Sequence, residues 1–180
     1  SERAKELLHQ IRANELFSGT NLIFLEVIYY SNFGLWDKIL QHSELDSVLS
    51  VARPRRVTES LLQALYYTYL SPLLLDEKFE QARQTFESDL QKPFERLFRR
   101  LENIREPESL ICFSLFSQEG RNIPESRFEV IQEKLEQFEE PQWLDLFLRL
   151  KQVGKERGVE PSDKGEEDKA REIFEKASSL

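Results

Sequence analysis

Residues 76–104, DEKFEQARQTFESDLQKPFERLFRRLENI, carry the clearest helical pattern in this chain. The apolar residues advance in steps of three or four positions without a phase slip, which places them on one face of an α-helix. Pro93 lies inside this stripe and removes one backbone hydrogen bond. Because the phase is unbroken, we predict one helix kinked at Pro93 rather than two helices that meet there. The face consists of Phe79, Ala82, Phe86, Leu90, Phe94, Leu97, Leu101 and Ile104.

The segments that precede this stripe are also predicted to be helical. Residues 22–33 are apolar nearly all round, so we predict a central, buried helix that ends at Gly34. Residues 35–41 and 44–51 are predicted to form two short helices. Residues 58–70 carry a broad apolar face, and Ser71-Pro72 should end that helix because the residue before a proline avoids helical geometry.

Three later segments each begin with a proline in a polar or acidic setting. These prolines are Pro107, Pro124 and Pro141, which are spaced 17 residues apart. Proline suits the first helical position, because its missing N–H would have no partner there in any case. We therefore predict an all-α fold of about seven to nine helices, either an irregular helical bundle or stacked helical hairpins. No tetratricopeptide, ankyrin or leucine-rich repeat signature accompanies the regular spacing.

The composition changes after Val153, where Gly154, Gly158, Pro161 and Gly165 alternate with charged residues. This pattern is typical of a linker. We predict a helical domain over residues 1–155, followed over 156–180 by a charged linker and a short amphipathic helix. A helix of that length is marginal alone in water, so it should pack on the domain or bind a partner. Its apolar side includes Ile173 and Phe174, which are candidate partner-binding residues.

The size and composition indicate one domain that needs neither disulfides nor metals to fold. The single cysteine, Cys112, lies in an apolar run, which is typical of a buried side chain rather than a nucleophile. The absence of cysteine pairs and of a signal-peptide pattern predicts an intracellular protein, cytoplasmic or nuclear. Residues 22–30 form the longest apolar run and are interrupted by Glu26, so no membrane span is predicted.

Residues with catalytic or metal-binding spacing are scarce. Glu6 and His9 have the Glu-x-x-His spacing of carboxylate-bridged metal sites, but a second such motif is absent. There is no glycine-rich phosphate loop, no His-Glu-x-x-His and no calcium loop. We therefore predict a protein that is not an enzyme and takes no cofactor. A triad assembled in space from distant residues is left open.

Arginine is concentrated in two clusters, although the chain as a whole has a net charge of -8. One cluster lies in a proline-containing loop, and the other lies on the long helix. A local basic patch can bind phosphates or an acidic partner. Because the protein is acidic, we favour pairing with the acidic C-terminal third or with an acidic partner over nucleic acid. The clusters are Arg53, Arg55 and Arg56, and Arg96, Arg99 and Arg100.

A second candidate surface surrounds Trp143 and Phe147, in a segment that is apolar on more than one face. Such a segment is typical of the core. If it is exposed, Trp143 is suited to anchor a partner, because buried tryptophans often dominate interface energetics.

These observations favour a non-enzymatic protein–protein interaction module, such as a scaffold, an adaptor, a chaperone-like binder or an assembly subunit. The alternative is a nucleic-acid-associated protein that uses the arginine clusters. A third hypothesis is a helical enzyme with a site built from scattered Glu, Tyr and His residues. A protein partner is expected, and self-association is left open.

Overall fold

The computed structural model describes residues 19–119 and 125–158, together with the isolated positions Arg3, Glu6 and Gln10. Every regular element in these ranges is helical, and no strand occurs within them. The all-helical prediction is confirmed, and the two described ranges contain eight helices when each is counted together with the π or 3-10 turns that continue it. None of these helices is both long enough and apolar enough to cross a lipid bilayer.

The helices are numbered in chain order, and two long ones near the middle of the chain have several consecutive parts. They are α1 Gly19–Asn32, α2 Trp36–Leu40, α3 Leu45–Ser50, α4 Arg55–Leu65 continued by Tyr66–Leu70 and Ser71–Leu75, α5 Phe79–Thr85 continued by Phe86–Leu90, Gln91–Phe94 and Glu95–Arg99, α6 Pro107–Glu119, α7 Glu125–Leu135 and α8 Gln142–Gly158. A separate 3-10 turn, Leu101–Asn103, connects α5 to α6.

The centre of the fold is formed by α4 and α6. Residues 59–66 of α4 and 107–115 of α6 are buried without interruption. Helix α6 contacts α4, α7 and α8, and α8 also contacts α5. Because each central helix packs against several others that are distant in sequence, the architecture is an irregular bundle rather than a stack of hairpins.

Helix α1 lies at the edge of this bundle, so the prediction of a central helix over residues 22–33 is wrong. Val27 is fully buried against the core, but Leu25 and Phe33 are 37% and 50% exposed. A helix that is apolar on all sides in sequence can still be packed against other helices on only one side. Gly34 follows α1 with a φ of 64°, which fits the predicted stop.

The prediction that Ser71-Pro72 ends a helix is also wrong, because α4 continues to Leu75. A π turn, Tyr66–Leu70, precedes the proline, and the Ser71 N–H donates to the carbonyl of Tyr66 five residues earlier. The wider turn shifts the hydrogen-bond ladder by one residue just before the proline ring. The helix thereby tolerates a side chain that would clash with a regular α-helical turn.

Helix α5 continues through Pro93, in agreement with the unbroken apolar stripe. A π turn, Phe86–Leu90, again precedes the proline. The backbone leaves helical geometry at Phe94, with φ −107° and ψ 11°, and the helix tightens into a 3-10 turn. It ends before Arg100, whose φ is −132° and ψ is 78°, so it does not reach Ile104 as predicted.

The three helices predicted from prolines begin where the sequence places them. Helix α6 begins at Pro107, and α7 and α8 begin one residue after Pro124 and Pro141. Helix α8 continues through Gly154 to Gly158, so the predicted boundary between residues 155 and 156 falls inside a helix. A glycine inside a helix costs only about 1 kcal/mol relative to alanine. The predicted linker and C-terminal helix beyond this point lie outside the described residues.

Candidate functional site

The two arginine clusters meet at one groove, which we call the arginine groove. It lies between the turn that follows α3, the start of α4 and the 3-10 end of α5, and it encloses about 550 Å³. Among the described residues, no carboxylate lines it. Five arginines line it: Arg53, Arg55, Arg96, Arg99 and Arg100.

Arg53 holds the groove together. Its Nη1 donates to the carbonyls of Val48 and Leu49, both at 3.0 Å, and its Nη2 donates to the carbonyl of Arg96 at 2.9 Å. The guanidinium thereby satisfies carbonyls at the C-terminal end of α3 and joins them to α5, 43 residues away in sequence. Burial, followed by the charges of Arg99 and Arg96, lowers the pKa of Arg53. Its guanidinium therefore positions the groove and has little capacity left for a ligand.

Arg55 and Arg56 face different surroundings, because consecutive residues on a helix point about 100° apart. Arg55 lines the groove and pairs with Glu59 at 3.5 Å, one turn along α4. Arg56 lies outside the groove, where it donates to Glu106 and to the side chain of Asn32, both at 3.3 Å. The structure therefore separates Arg56 from the five arginines that line the groove.

The remaining three arginines are exposed and have no counter-charge. Within residues 19–119 and 125–158, no carboxylate forms an ion pair with Arg96, Arg99 or Arg100. The 3-10 turn and the bend at Arg100 place their side chains at the rim of one groove. Glu95 and Glu102, which lie beside these arginines in the sequence, do not line the groove.

The floor between these arginines is apolar, and the sequence patterns did not identify it. It is formed by Leu49, Val51, Leu97 and Ile104. Leu97 and Ile104 belong to the apolar stripe of residues 76–104, but nothing in that stripe pairs them with Val51. Val51 is 40% exposed, which is a surface signal that only the folded chain provides.

The second predicted surface, around Trp143 and Phe147, belongs mainly to the core. Phe147 is fully buried. Trp143 is half-buried against the ring of Tyr66, and its indole N–H donates to Glu140 at 3.3 Å. Neither side chain projects from the bundle as a partner anchor would. Ile173 and Phe174 lie outside the described residues.

A second charged group, which we call the carboxylate cluster, was not identified from the sequence. It consists of Glu59 on α4 with Glu106 and Glu108 at the start of α6. Glu59 is 1% exposed and accepts the backbone N–H of Arg105 at 2.7 Å. Glu108 accepts a short hydrogen bond from the hydroxyl of Tyr67. The N-terminal end of α6 favours negative charge at this point.

The electrostatics of the cluster follow from its burial. Burial, followed by the charges of Glu59 and Glu108, raises the pKa of Glu106, and Arg56 opposes this shift. Burial and the hydrogen bond to Glu108 raise the pKa of Tyr67. The spacing of Glu59, Gln63 and Tyr67 at i, i+4 and i+8 was the signal available in the sequence. Neither Glu106 nor Glu108 lines the arginine groove or the cavity beside Trp36 and Tyr67.

Cys112 is fully buried, as predicted, and burial raises the pKa of its thiol. His42 is bound by Glu26, whose carboxylate lies 2.9 Å from Nε2, while Nδ1 accepts the backbone N–H of Glu44 at 3.1 Å. Among the described residues, no three or more His, Cys, Asp or Glu side chains form a group that could hold a metal ion. His9 of the Glu-x-x-His spacing lies outside them.

A family model described as DpdD-like matches residues 1–179. The chain belongs to the DpdD-like family. No curated protein and no solved structure matches it. The family description names no ligand or reaction, so the function of this DpdD-like chain has to be argued from the geometry of the arginine groove.

Proposed function

We propose that this chain is a non-catalytic interaction module that binds an acidic polypeptide segment in the arginine groove. The observation that carries the proposal is the convergence of five arginines from two distant segments, three of which, Arg96, Arg99 and Arg100, have no carboxylate partner among the described residues. Guanidinium groups pair with carboxylates in bidentate geometry. Like charges brought together in this way repel one another, so an anionic partner would stabilise the arrangement.

The apolar floor favours a polypeptide partner. Val51 is 40% exposed above the buried side chains of Leu49, Leu97 and Ile104, and it can pack against an aliphatic side chain of the partner. Burial of this kind is what an arginine surface needs for useful affinity, since exposed ion pairs contribute only about 0–1 kcal/mol each. The proposed ligand is therefore a segment with both acidic and aliphatic side chains.

Nucleic acid is the second candidate, because the same exposed arginines could bind phosphates. Single-strand binding sites usually add aromatic side chains on which bases stack. No aromatic side chain of residues 19–119 or 125–158 lines the arginine groove. Duplex binding usually requires a domain that is basic over a whole face, whereas the net charge of this chain is -8. The geometry therefore favours the acidic polypeptide.

The test compares two probes on the full chain by fluorescence anisotropy: a labelled peptide that alternates Glu and Leu, and a labelled 20-nucleotide single strand. We expect the peptide to bind and Arg99→Glu/Arg100→Glu to weaken it at least about tenfold, the loss of roughly 1.4 kcal/mol. The matched control is Lys38→Glu/Lys92→Glu, which changes the net charge equally at exposed positions outside the groove.

Three outcomes would decide between the candidates. Peptide binding that is lost in the arginine variant and kept in the lysine variant supports the proposal. If only the oligonucleotide binds, and its affinity falls steeply with salt, the groove is a nucleic-acid-binding site instead. Equal weakening by both variants would show that only net charge matters, and would overturn the assignment of the groove.

A further inference from the structure

Contacts through α7 connect the second half of α8 with the 3-10 end of α5, which carries the exposed arginines. Nη2 of Arg127 on α7 donates to the carbonyl of Phe98 at 2.8 Å, and Phe98 is the residue before Arg99. The ammonium of Lys151 on α8 lies 5.6 Å from the ring centroid of Phe128, the neighbour of Arg127. A short series of contacts therefore connects the last turns of α8 with the 3-10 end of α5.

A second series of contacts leads to the same place. The ring of Phe98 stacks on that of Phe116 of α6, with centroids 4.5 Å apart. Gln118, about half a turn further along α6, lies so close to Gly154 that a Cβ added to this glycine would be 2.9 Å from Oε1. Both routes connect residues 151–154 with Phe98, the neighbour of the groove residues Leu97 and Arg99.

The sequence that follows α8 is strongly acidic at its start. Residues 159–168, VEPSDKGEED, contain five acidic side chains and one lysine, a net charge of −4. We call these ten residues the acidic stretch, and they lie outside the described residues. Ten extended residues can span roughly 33 Å. Contact between the stretch and the groove requires the groove to lie within this distance of the end of α8.

We propose that the acidic stretch binds in the arginine groove of its own chain and competes there with an external acidic partner. This proposal rests on the proposed function, because it assigns the same groove. The charges are complementary, since Arg96, Arg99 and Arg100 have no carboxylate partner among the described residues. Val159 and Pro161 supply apolar side chains for the floor. Tethering gives the stretch an effective concentration on the order of millimolar, which an external ligand must overcome.

The first experiment detects the contact directly. Ser162→Cys introduces a spin-label site in the middle of the acidic stretch without removing a charge, and the native Cys112 is fully buried. We expect the label to broaden the NMR signals of the Ala52 and Asn103 amides, two residues that line the groove. Arg99→Glu/Arg100→Glu should abolish the broadening, and Lys38→Glu/Lys92→Glu should preserve it. Sharp groove signals in the labelled, otherwise unaltered chain would overturn the proposal.

The second experiment separates this proposal from the proposed function. The acidic stretch is neutralised in the full chain, with Glu→Gln and Asp→Asn at its five acids, and the Glu-Leu peptide is titrated into both forms. Release of a tethered competitor should tighten peptide binding about tenfold. Equal affinity of both forms would reject the internal competitor and leave the proposed function standing. Absence of binding to both forms would reject the proposed function, and the spin-label result would then decide on the acidic stretch alone.

Discussion

The arginine groove and the carboxylate cluster are both charged, but they differ in how the charge is satisfied. In the cluster, Glu59 and Glu108 are buried and accept hydrogen bonds from Arg105 and Tyr67. At the groove rim, Arg96, Arg99 and Arg100 are exposed and have no carboxylate partner in the described part of the chain. A satisfied buried charge holds the fold together, whereas an exposed charge without a counter-ion remains available to a ligand. The comparison predicts that the cluster determines stability and that the groove rim determines binding.

The largest effect on stability is expected from Glu59→Ala. The change removes a buried carboxylate, leaves the Arg105 N–H without its acceptor and opens a cavity. We expect a loss of about 3 kcal/mol in the free energy of unfolding, measured by urea denaturation at pH 7. The control is Glu95→Ala, an exposed glutamate on α5. Similar stabilities for both variants would remove the distinction between the two charged regions.

Arg53→Met tests the one groove arginine whose charge, like the charges of the carboxylate cluster, is satisfied by hydrogen bonds within the fold. The methionine keeps an apolar stem but loses the hydrogen bonds to Val48, Leu49 and Arg96. We expect destabilisation by about 2 kcal/mol, against less than about 0.5 kcal/mol for Arg99→Ala at the rim. Thermal and urea unfolding of the two variants provide the measurement. A rim variant that destabilises as strongly as Arg53→Met would mean that the rim arginines are also structural.

Tyr67→Phe removes a single hydroxyl from the cluster. Glu108 then keeps only the amide of Gln63, at 3.4 Å, as a side-chain donor. We expect a loss of about 1 kcal/mol, because one hydrogen bond to a charged acceptor disappears with little change in packing. Tyr69→Phe, at a residue that is 40% exposed, is the matched control and should be neutral in the same denaturation experiment.

The smallest effect is expected from Glu106→Gln, and it depends on pH. Because the pKa of Glu106 is raised in the folded state, this group contributes stability that is fully present below its ordinary pKa. That contribution is lost as the pH rises through the raised pKa. The side chain is 35% exposed and pairs with Arg56, so solvent screening limits the effect.

We therefore expect Glu106→Gln to be more stable than the unaltered chain by only a few tenths of a kcal/mol at pH 7. It should also lack part of the decrease in stability between about pH 4.5 and pH 7. Urea denaturation across this pH range measures both quantities. A Glu106→Gln variant that is less stable at pH 7 would show that the ion pair with Arg56 outweighs burial.

The sequence predicted where the helices lie better than it predicted which of them are buried and what they pack against. The stripe that contains Pro93 and the starts at Pro107, Pro124 and Pro141 correspond to helices, because periodicity and proline chemistry act over a few residues. The wrong end at Pro72 has a different cause. The π turn before it is a local rearrangement of hydrogen bonds that no residue type announces.

The candidate site was predicted in part. The residue types of the arginine groove were identified, but the separation of Arg56 from Arg55 required the orientation of α4. The carboxylate cluster was missed because Glu59 and Gln63 look like solvent-facing positions until α6 covers them. Trp143 and Phe147 were placed in a segment suited to core or interface, and the packing of α8 made Phe147 core.

The sequence by itself determined the helical class, most helix starts, the burial of Cys112 and the presence of two arginine clusters. Each of these depends on side chains within a few positions of one another. Only the tertiary structure decided that Arg53 reaches the carbonyl of Arg96, and that the rim arginines surround an apolar floor. Arg53 and Arg96 are 43 residues apart in the sequence, so their contact depends on how the helices pack. The free energy of that packing is distributed over the whole core and is not encoded in any short segment.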